Sequence, residues 1–172
     1  QEEALKAKRS EYTRLQEEAE GLRLSYRYEE AIELSKQIGE DYESIFPDAA
    51  AWAEKFTADT KRDQAEQLEK TEKIYDAAKK ARLNYDYRSA CQMMEEIPEP
   101  LRLGELKDFL ETTGREHNEV QRLQREINDR LNSKNLDSLL PLVEQLLTLQ
   151  PERSSVKRLH RKIVKWKEEV EF

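Results

Sequence analysis

The sequence predicts an all-α fold of antiparallel helical hairpins, stacked as irregular repeats in two lobes that one long helix joins. Apolar residues recur at alternating steps of three and four, as in Leu15, Ala19, Leu22 and Tyr26. This spacing places them on one face of an α-helix. Helix breakers are scarce, because only 4 of the 172 residues are Gly and 5 are Pro. A composition with 39% charged residues is typical of long solvated helices.

Breaks in the apolar pattern place the first three helices. The first ends near Ser25–Tyr28, and the second stops before Pro47, because the residue before a proline avoids helical geometry. A long third helix is predicted over about 48–84, with Asp48 as its N-terminal cap. Its middle, Thr57–Lys73, is nearly all polar, which is typical of a helix that bridges packed regions. A self-association seam is the alternative interpretation of that stretch.

The remaining helices are shorter. One ends before Pro98, and the next is expected to close at Gly114, in the left-handed conformation of a C-terminal cap. Another helix covers Val120–Leu131. The most apolar helix contains Pro141 and must begin close before it, where the missing amide is not needed. The last helix starts after Pro151. These segments number eight, and we expect about seven helices in all.

This pattern predicts the domain organisation. Residues 1–60 form an N-terminal helical-hairpin lobe, 61–73 a polar bridging part of the long helix, and 74–172 a C-terminal helical-repeat lobe. The chain begins at Gln1 within a charged helical pattern, so we expect it to be a piece of a longer protein.

Two segments of the sequence are alike. Leu22–Ile38 reads LRLSYRYEEAIELSKQI and Ala81–Ile97 reads ARLNYDYRSACQMMEEI. A third, degenerate copy starts at Arg130, keeps the Arg-Leu-Asn opening and needs a shift of one residue. Because one hairpin cannot bury its apolar face alone, such copies predict stacked helical units.

Parts of these segments resemble known families. Tyr28–Leu34 and Tyr87–Ala90 resemble the opening of the second helix in tetratricopeptide repeats, which implies that the Tyr packs at a turn and the Ala permits close helix approach. The phrases IPEPLRLGELKDFL and LLPLVEQLLTLQPERSSVKRL resemble helical regions that accompany bacterial Ser/Thr protein kinases. That resemblance implies a non-catalytic segment of a multidomain signalling protein.

The sequence offers few candidate site residues. Two histidines, His117 and His160, lack the spacing of metal ligands, and Cys91 falls on an apolar stripe as a structural thiol. We therefore expect no catalytic, metal or cofactor-binding residue. Four tyrosines at the hairpin turns are predicted to pack there, with ligand stacking as the alternative. They are Tyr26, Tyr28, Tyr85 and Tyr87.

The last helix has the most polarised surface that the sequence offers. It is either a solvated face or a patch for an acidic partner, an anion or a membrane surface. The residues of this candidate interaction patch are Lys157, Arg158, Arg161, Lys162 and Lys165.

Charge and composition reduce the number of functional classes to which the protein could belong. A net charge of −7 disfavours nucleic acid as the main partner. No apolar run is long enough to span a membrane and no signal peptide is evident, so we expect a cytoplasmic protein. The leading hypothesis is a non-enzymatic helical-repeat scaffold, protein-interaction or spacer module that takes no small-molecule substrate or cofactor. The alternatives are an oligomerising coiled-coil-like rod, including a homodimer, and anion or nucleic-acid binding through the basic last helix.

Overall fold

Seven α-helices make up the fold in the computed structural model, which describes residues 1–171. A single turn of 3-10 helix, Glu99–Leu101, precedes the fifth helix, and the described part of the chain contains no strand. The all-α prediction is confirmed. The helices are α1 (Glu2–Leu24), α2 (Tyr28–Tyr42), α3 (Ala49–Leu83), α4 (Tyr87–Glu95), α5 (Glu105–Asn132), α6 (Leu139–Leu149) and α7 (Ser154–Glu171).

The chain divides into two compact units. Unit 1 comprises Gln1–Ile74 with Ile97–Leu103, and unit 2 comprises Tyr75–Glu96 with Gly104–Phe172. The 35-residue helix α3 therefore contributes residues to both units.

An aromatic cluster forms the core of unit 1. The ring of Tyr12 on α1 lies 5.3 Å from that of Tyr42 on α2 and 5.2 Å from that of Phe46, measured between centroids. Contact between α2 and α3 is very close at Gly39, where a Cβ would lie 2.8 Å from the Cβ of Ala53. A helix with an ordinary side chain at that position could not approach α3 as closely.

Aliphatic residues of α5, α6 and α7, together with Tyr87 of α4, form the core of unit 2. As the sequence predicts, α6 is the most apolar helix, and it begins at Leu139 after Ser138, so Pro141 lies in its first turn. The buried residues of this core are Tyr87, Val120, Leu123, Ile127, Leu139, Leu142, Val143, Leu146, Val156 and Ile163.

The prediction of a helix end at Gly114 is wrong. Helix α5 runs through it without a break, because Thr113 is fully buried and keeps the apolar face continuous between Leu110 and Val120. The one glycine with a positive φ among the described residues is Gly104 (φ 55°), immediately before α5.

The polar stretch within α3 is not solvent-exposed on every side. Thr60 is fully buried and Thr71 is nearly so. The Thr60 hydroxyl donates to the Phe56 carbonyl at 2.7 Å, so it is buried with its hydrogen bond made. In the described residues, no helix is long and apolar enough to cross a membrane.

Candidate functional site

Three helices, α1, α3 and α5, end in the same backbone geometry. A residue with positive φ follows each of them: Tyr26 (66°), Tyr85 (61°) and Lys134 (58°). At each end, the amide of the next residue donates to the carbonyl five positions earlier, as Arg27 does to Leu22 at 2.9 Å. These bonds define a Schellman motif, which usually has glycine at the left-handed position.

The positions that follow these turns are also equivalent. The residues five, nine and twelve positions after each left-handed residue are all at most 2% exposed. This correspondence aligns the third segment with the first two. Arg130 is equivalent to Leu22, because each supplies the carbonyl of the turn, and it is not equivalent to Arg23. The three sets are Ala31, Ser35 and Ile38; Ala90, Met94 and Ile97; and Leu139, Val143 and Leu146.

The side chains at the third turn differ from those at the first and second turns. Beside Tyr26 (36% exposed) and Tyr85 (37%), the leucines Leu24 and Leu83 are 71% and 77% exposed. In the third turn, Asn132 occupies the position of the leucine and Lys134 that of the tyrosine. An Asn–Lys pair thus satisfies the same backbone geometry, which therefore does not require the Leu–Tyr pairs.

Near the first turn, an arginine is fixed by a carboxylate and a ring. The Arg23 guanidinium donates from Nε and Nη2 to Asp63 Oδ2, at 2.7 and 2.6 Å. Its Cζ lies 5.7 Å from the centroid of the Phe56 ring. The hydrogen bond to Asp63 raises the pKa of Arg23, which holds the positive charge in place.

Unit 2 has the equivalent arrangement. The Arg82 guanidinium lies 2.7 and 2.9 Å from Glu116 Oε1, through Nη2 and Nε, with Cζ 5.8 Å from the Phe109 ring centroid. Phe109 and Glu116 are seven residues apart, as Phe56 and Asp63 are, so ring and carboxylate share one helix face.

A groove of about 500 Å³ opens around Arg82 in unit 2. On one side the Tyr75 ring packs edge-on against Phe109, with centroids 5.3 Å apart and planes at 78°. Burial, followed by a hydrogen bond to Glu105, raises the pKa of Tyr75, so its phenol is neutral at physiological pH. The lining residues are Tyr75, Lys79, Arg82, Leu83, Tyr85, Tyr87, Phe109 and Glu116.

Two hydrogen bonds tie the groove to the end of α6. The buried Tyr87 hydroxyl donates to the Leu149 carbonyl at 2.5 Å, and Gln150 Nε2 donates to the Tyr85 carbonyl at 3.3 Å. Burial raises the pKa of Tyr87, so the hydroxyl keeps the proton that it donates.

The four tyrosines predicted at the turns divide into two kinds. Tyr28 and Tyr87 are buried, whereas Tyr26 and Tyr85 are exposed at the left-handed positions. In unit 1 the Tyr26 ring packs edge-on against Tyr28, with centroids 6.3 Å apart. In unit 2, Tyr85 and Tyr87 both line the groove.

Sequence reasoning missed most of the groove. Arg82 belongs to the shared Arg-Leu opening and Phe109 to an apolar stripe, so neither residue type marks a site by itself. The signal that could have found them is the seven-residue spacing from an aromatic residue to a carboxylate, which occurs at Phe56–Asp63 and again at Phe109–Glu116.

The predicted basic patch on α7 is largely exposed. Lys157 is half-buried, with Nζ 3.3 Å from Glu152 Oε2. The other four, Arg158, Arg161, Lys162 and Lys165, are exposed, and within the described residues none of them forms an ion pair.

The histidines and the cysteine are not among the residues that line the groove. His160 Nε2 is 3.6 Å from Glu144 Oε1, and His117 is half-buried on α5. Cys91 is half-buried rather than buried, and desolvation, with the charges of Glu95 and Glu116, raises the pKa of its thiol. Over residues 1–171, no group of His, Cys, Asp or Glu side chains could hold a metal ion.

Comparisons with protein-family models, curated proteins and solved structures found no match for the chain. The tetratricopeptide and kinase-associated resemblances therefore have no support from known proteins.

Proposed function

We propose that this chain is a non-enzymatic helical-repeat module that binds a protein partner through the groove of unit 2. The observation that carries the proposal is the pair Leu83 and Tyr85, which lies exposed at the groove although the turn does not require it.

The conformation of Tyr85 supports a binding role. A non-glycine residue at a left-handed position is about 1–2 kcal/mol less stable than in the right-handed region. Glycine at Tyr85 would avoid this cost, and Lys134 supports the same turn with a polar side chain. Tyr85 thus has a strained backbone and an exposed ring, and it lies two residues from Leu83, which is 77% exposed. Partner binding explains why both apolar side chains are exposed here, whereas the fold does not require them.

The walls of the groove are held in place before any partner arrives. Arg82 is fixed by Glu116 and Phe109, and Tyr87 is fixed by its bond to Leu149. Prior ordering lowers the entropic cost of association. Because the lining is rich in aromatic rings, it suits an aliphatic or aromatic anchor side chain of a peptide segment.

The repeat organisation in this proposal rests on the three equivalent turns. Each is followed by buried residues at the same offsets, which supports one kind of helical unit used three times. The tetratricopeptide pattern is not needed for this organisation, since it depends only on the turn geometry and the buried offsets.

The state of Cys91, the one thiol of the chain, supports the non-enzymatic character of the proposal. A raised thiol pKa keeps Cys91 protonated and unreactive near neutral pH. Both cations of the groove already have a carboxylate partner, Glu116 for Arg82 and Asp76 for Lys79.

A displayed-peptide selection tests the proposed function without a known partner. A random library is selected on the chain and counter-selected on the double variant Leu83→Ser, Tyr85→Ser. We expect enriched peptides with an apolar anchor, whose Kd rises at least about tenfold on the double variant, as loss of two anchor residues implies.

The matched control is Lys134→Ser, which changes an exposed residue at the equivalent turn of α5. It should leave the affinity unchanged. Enrichment of no peptide, or equal binding to the chain and the groove variant, would refute the groove as a binding site.

A further inference from the structure

Helix α7 carries a stripe of exposed cations. Arg158, Arg161, Lys162 and Lys165 follow one another at steps of three, one and three residues, which keeps them on one side of the helix. This basic stripe covers about 10 Å along the helix axis. Among the described residues, none of these four cations forms an ion pair.

Helix α2 and the residue that caps its C-terminus, Glu43, carry a complementary stripe of exposed anions. Glu29, Glu33, Glu40 and Glu43 lie on one helix side, with only Lys36 among them. All four carboxylates are exposed, and the ion pairs of the described chain do not include them. This acidic stripe is about 20 Å long, so the basic stripe fits within its length.

We infer that the basic stripe of one copy of this chain binds the acidic stripe of a second copy. Opposite charges in matching rows steer two molecules together and set their register. The two stripes are different surfaces, so the contact is head-to-tail. A pair of copies therefore keeps one free acidic stripe and one free basic stripe, to which further copies can bind.

Charges of both signs occur together on α1 and α3, so α2 is the better partner surface for the basic stripe. On α1, lysines and arginines alternate with the acids, and Lys8–Glu11 and Arg14–Glu18 already pair. On α3, Lys73 pairs with Glu69. The 15 residues of α2 carry five acids against a single lysine, which makes it a strongly acidic helix.

Light scattering and sedimentation over a range of protein concentrations test the inference. In about 20 mM salt, the mean mass should rise with concentration. In about 500 mM salt it should fall to that of one chain, because screening is then effective within a few ångströms.

Charge reversal identifies the surfaces. The α7 variant is Arg158→Glu, Arg161→Glu, Lys162→Glu, and the α2 variant is Glu29→Lys, Glu33→Lys, Glu40→Lys. Each should associate at least about tenfold more weakly than the unaltered chain, since three exposed pairs are lost. A mixture of the two variants should associate again, because each reversed stripe then meets a stripe of opposite sign.

A control variant distinguishes the effect of the basic stripe on association from the effect of net charge. Lys55→Glu, Lys61→Glu, Lys70→Glu changes three exposed lysines of α3 and alters net charge by the same −6 as the α7 variant, from −7 to −13. It should associate far more than the α7 variant. Helicity and melting temperature are measured for all variants, so that only folded proteins are compared.

Three results would overturn the inference. They are a single-chain mass at every concentration in low salt, equal association of the α7 variant and its α3 control, and no association in the mixture of folded variants. A single-chain mass combined with duplex-DNA binding that the α7 variant loses would assign the stripe to an anionic ligand instead. None of these variants touches the groove lining, so failure here leaves the proposed peptide binding intact.

Discussion

Gly39 is the position where a single added methyl group should destabilise unit 1. It lies buried in α2, where a Cβ would be 2.8 Å from Ala53 Cβ and 3.8 Å from the Ala49 carbonyl oxygen. Carbon atoms in favourable contact lie about 3.5–4.0 Å apart, so the two methyl groups would overlap by roughly 1 Å. Because both are bonded directly to helix backbones, no side-chain rotation can relieve the overlap.

Two opposing effects decide the sign of Gly39→Ala. Alanine is favoured over glycine inside a helix by about 1 kcal/mol. Forcing extra volume into a packed interface costs about 1–3 kcal/mol. Separation of α2 from α3 would also stretch the Ser35–Thr57 hydroxyl bond, now 3.0 Å. We therefore expect the free energy of unfolding to fall by about 1 kcal/mol.

Urea denaturation followed by circular dichroism measures this change. Gly21→Ala and Gly114→Ala are matched controls, because both glycines are helical and a Cβ at either would meet nothing within 4 Å. Each control should raise stability by about 0.5–1 kcal/mol. The packing argument fails if Gly39→Ala is as stable as the controls.

A compensating change strengthens the experiment. Ala53→Gly removes the other methyl group of the close contact. In the double variant Gly39→Ala, Ala53→Gly, the overlap is gone, so the loss should be smaller than the sum of the two single losses. Additive losses would mean that the close approach of α2 and α3 is not what limits position 39.

Three further substitutions test hydrogen bonding and backbone strain by the same denaturation assay. Tyr12→Phe should raise stability by about 1 kcal/mol, because the buried Tyr12 hydroxyl finds no partner among the described residues; a loss would reveal a hidden one. Tyr87→Phe should lower stability by about 1–2 kcal/mol, since it leaves the Leu149 carbonyl unpaired; no change would mean that water replaces the bond. Lys134→Gly should raise stability by about 1 kcal/mol through relief of the left-handed strain, and a decrease would contradict that origin.

The all-α class and most helix ends could be predicted from the sequence because they depend on local chemistry. Pro47 and Pro141 limit where helices can lie, and the apolar steps of three and four mark the buried faces. Gly114 misled the prediction because a glycine inside a helix and one at its end are the same in sequence. Buried Thr113, a polar residue, hid the continuity of the apolar face from the hydrophobic pattern.

The groove could not be predicted because its residues are far apart in sequence. Arg82 and Glu116 are 34 positions apart, and their pairing depends on how α3 and α5 pack in unit 2. The sequence indicates that Tyr85 and Tyr87 belong to one turn, but it does not show that Tyr85 is exposed in a strained backbone conformation and that Tyr87 is buried.

The three turns separate what the fold requires from what it only permits. All three need a residue that tolerates positive φ and buried residues at fixed offsets after it. Glycine or a polar residue can adopt the positive φ, and Lys134 does so at the third turn. The exposed side chains of Tyr85 and Leu83 are not required by the turn, and both line the groove. In that groove Arg82 is already held by Glu116, and Tyr87 by the Leu149 carbonyl. Substitutions at Leu83 and Tyr85 should therefore change binding while leaving the turn and its hydrogen bonds intact.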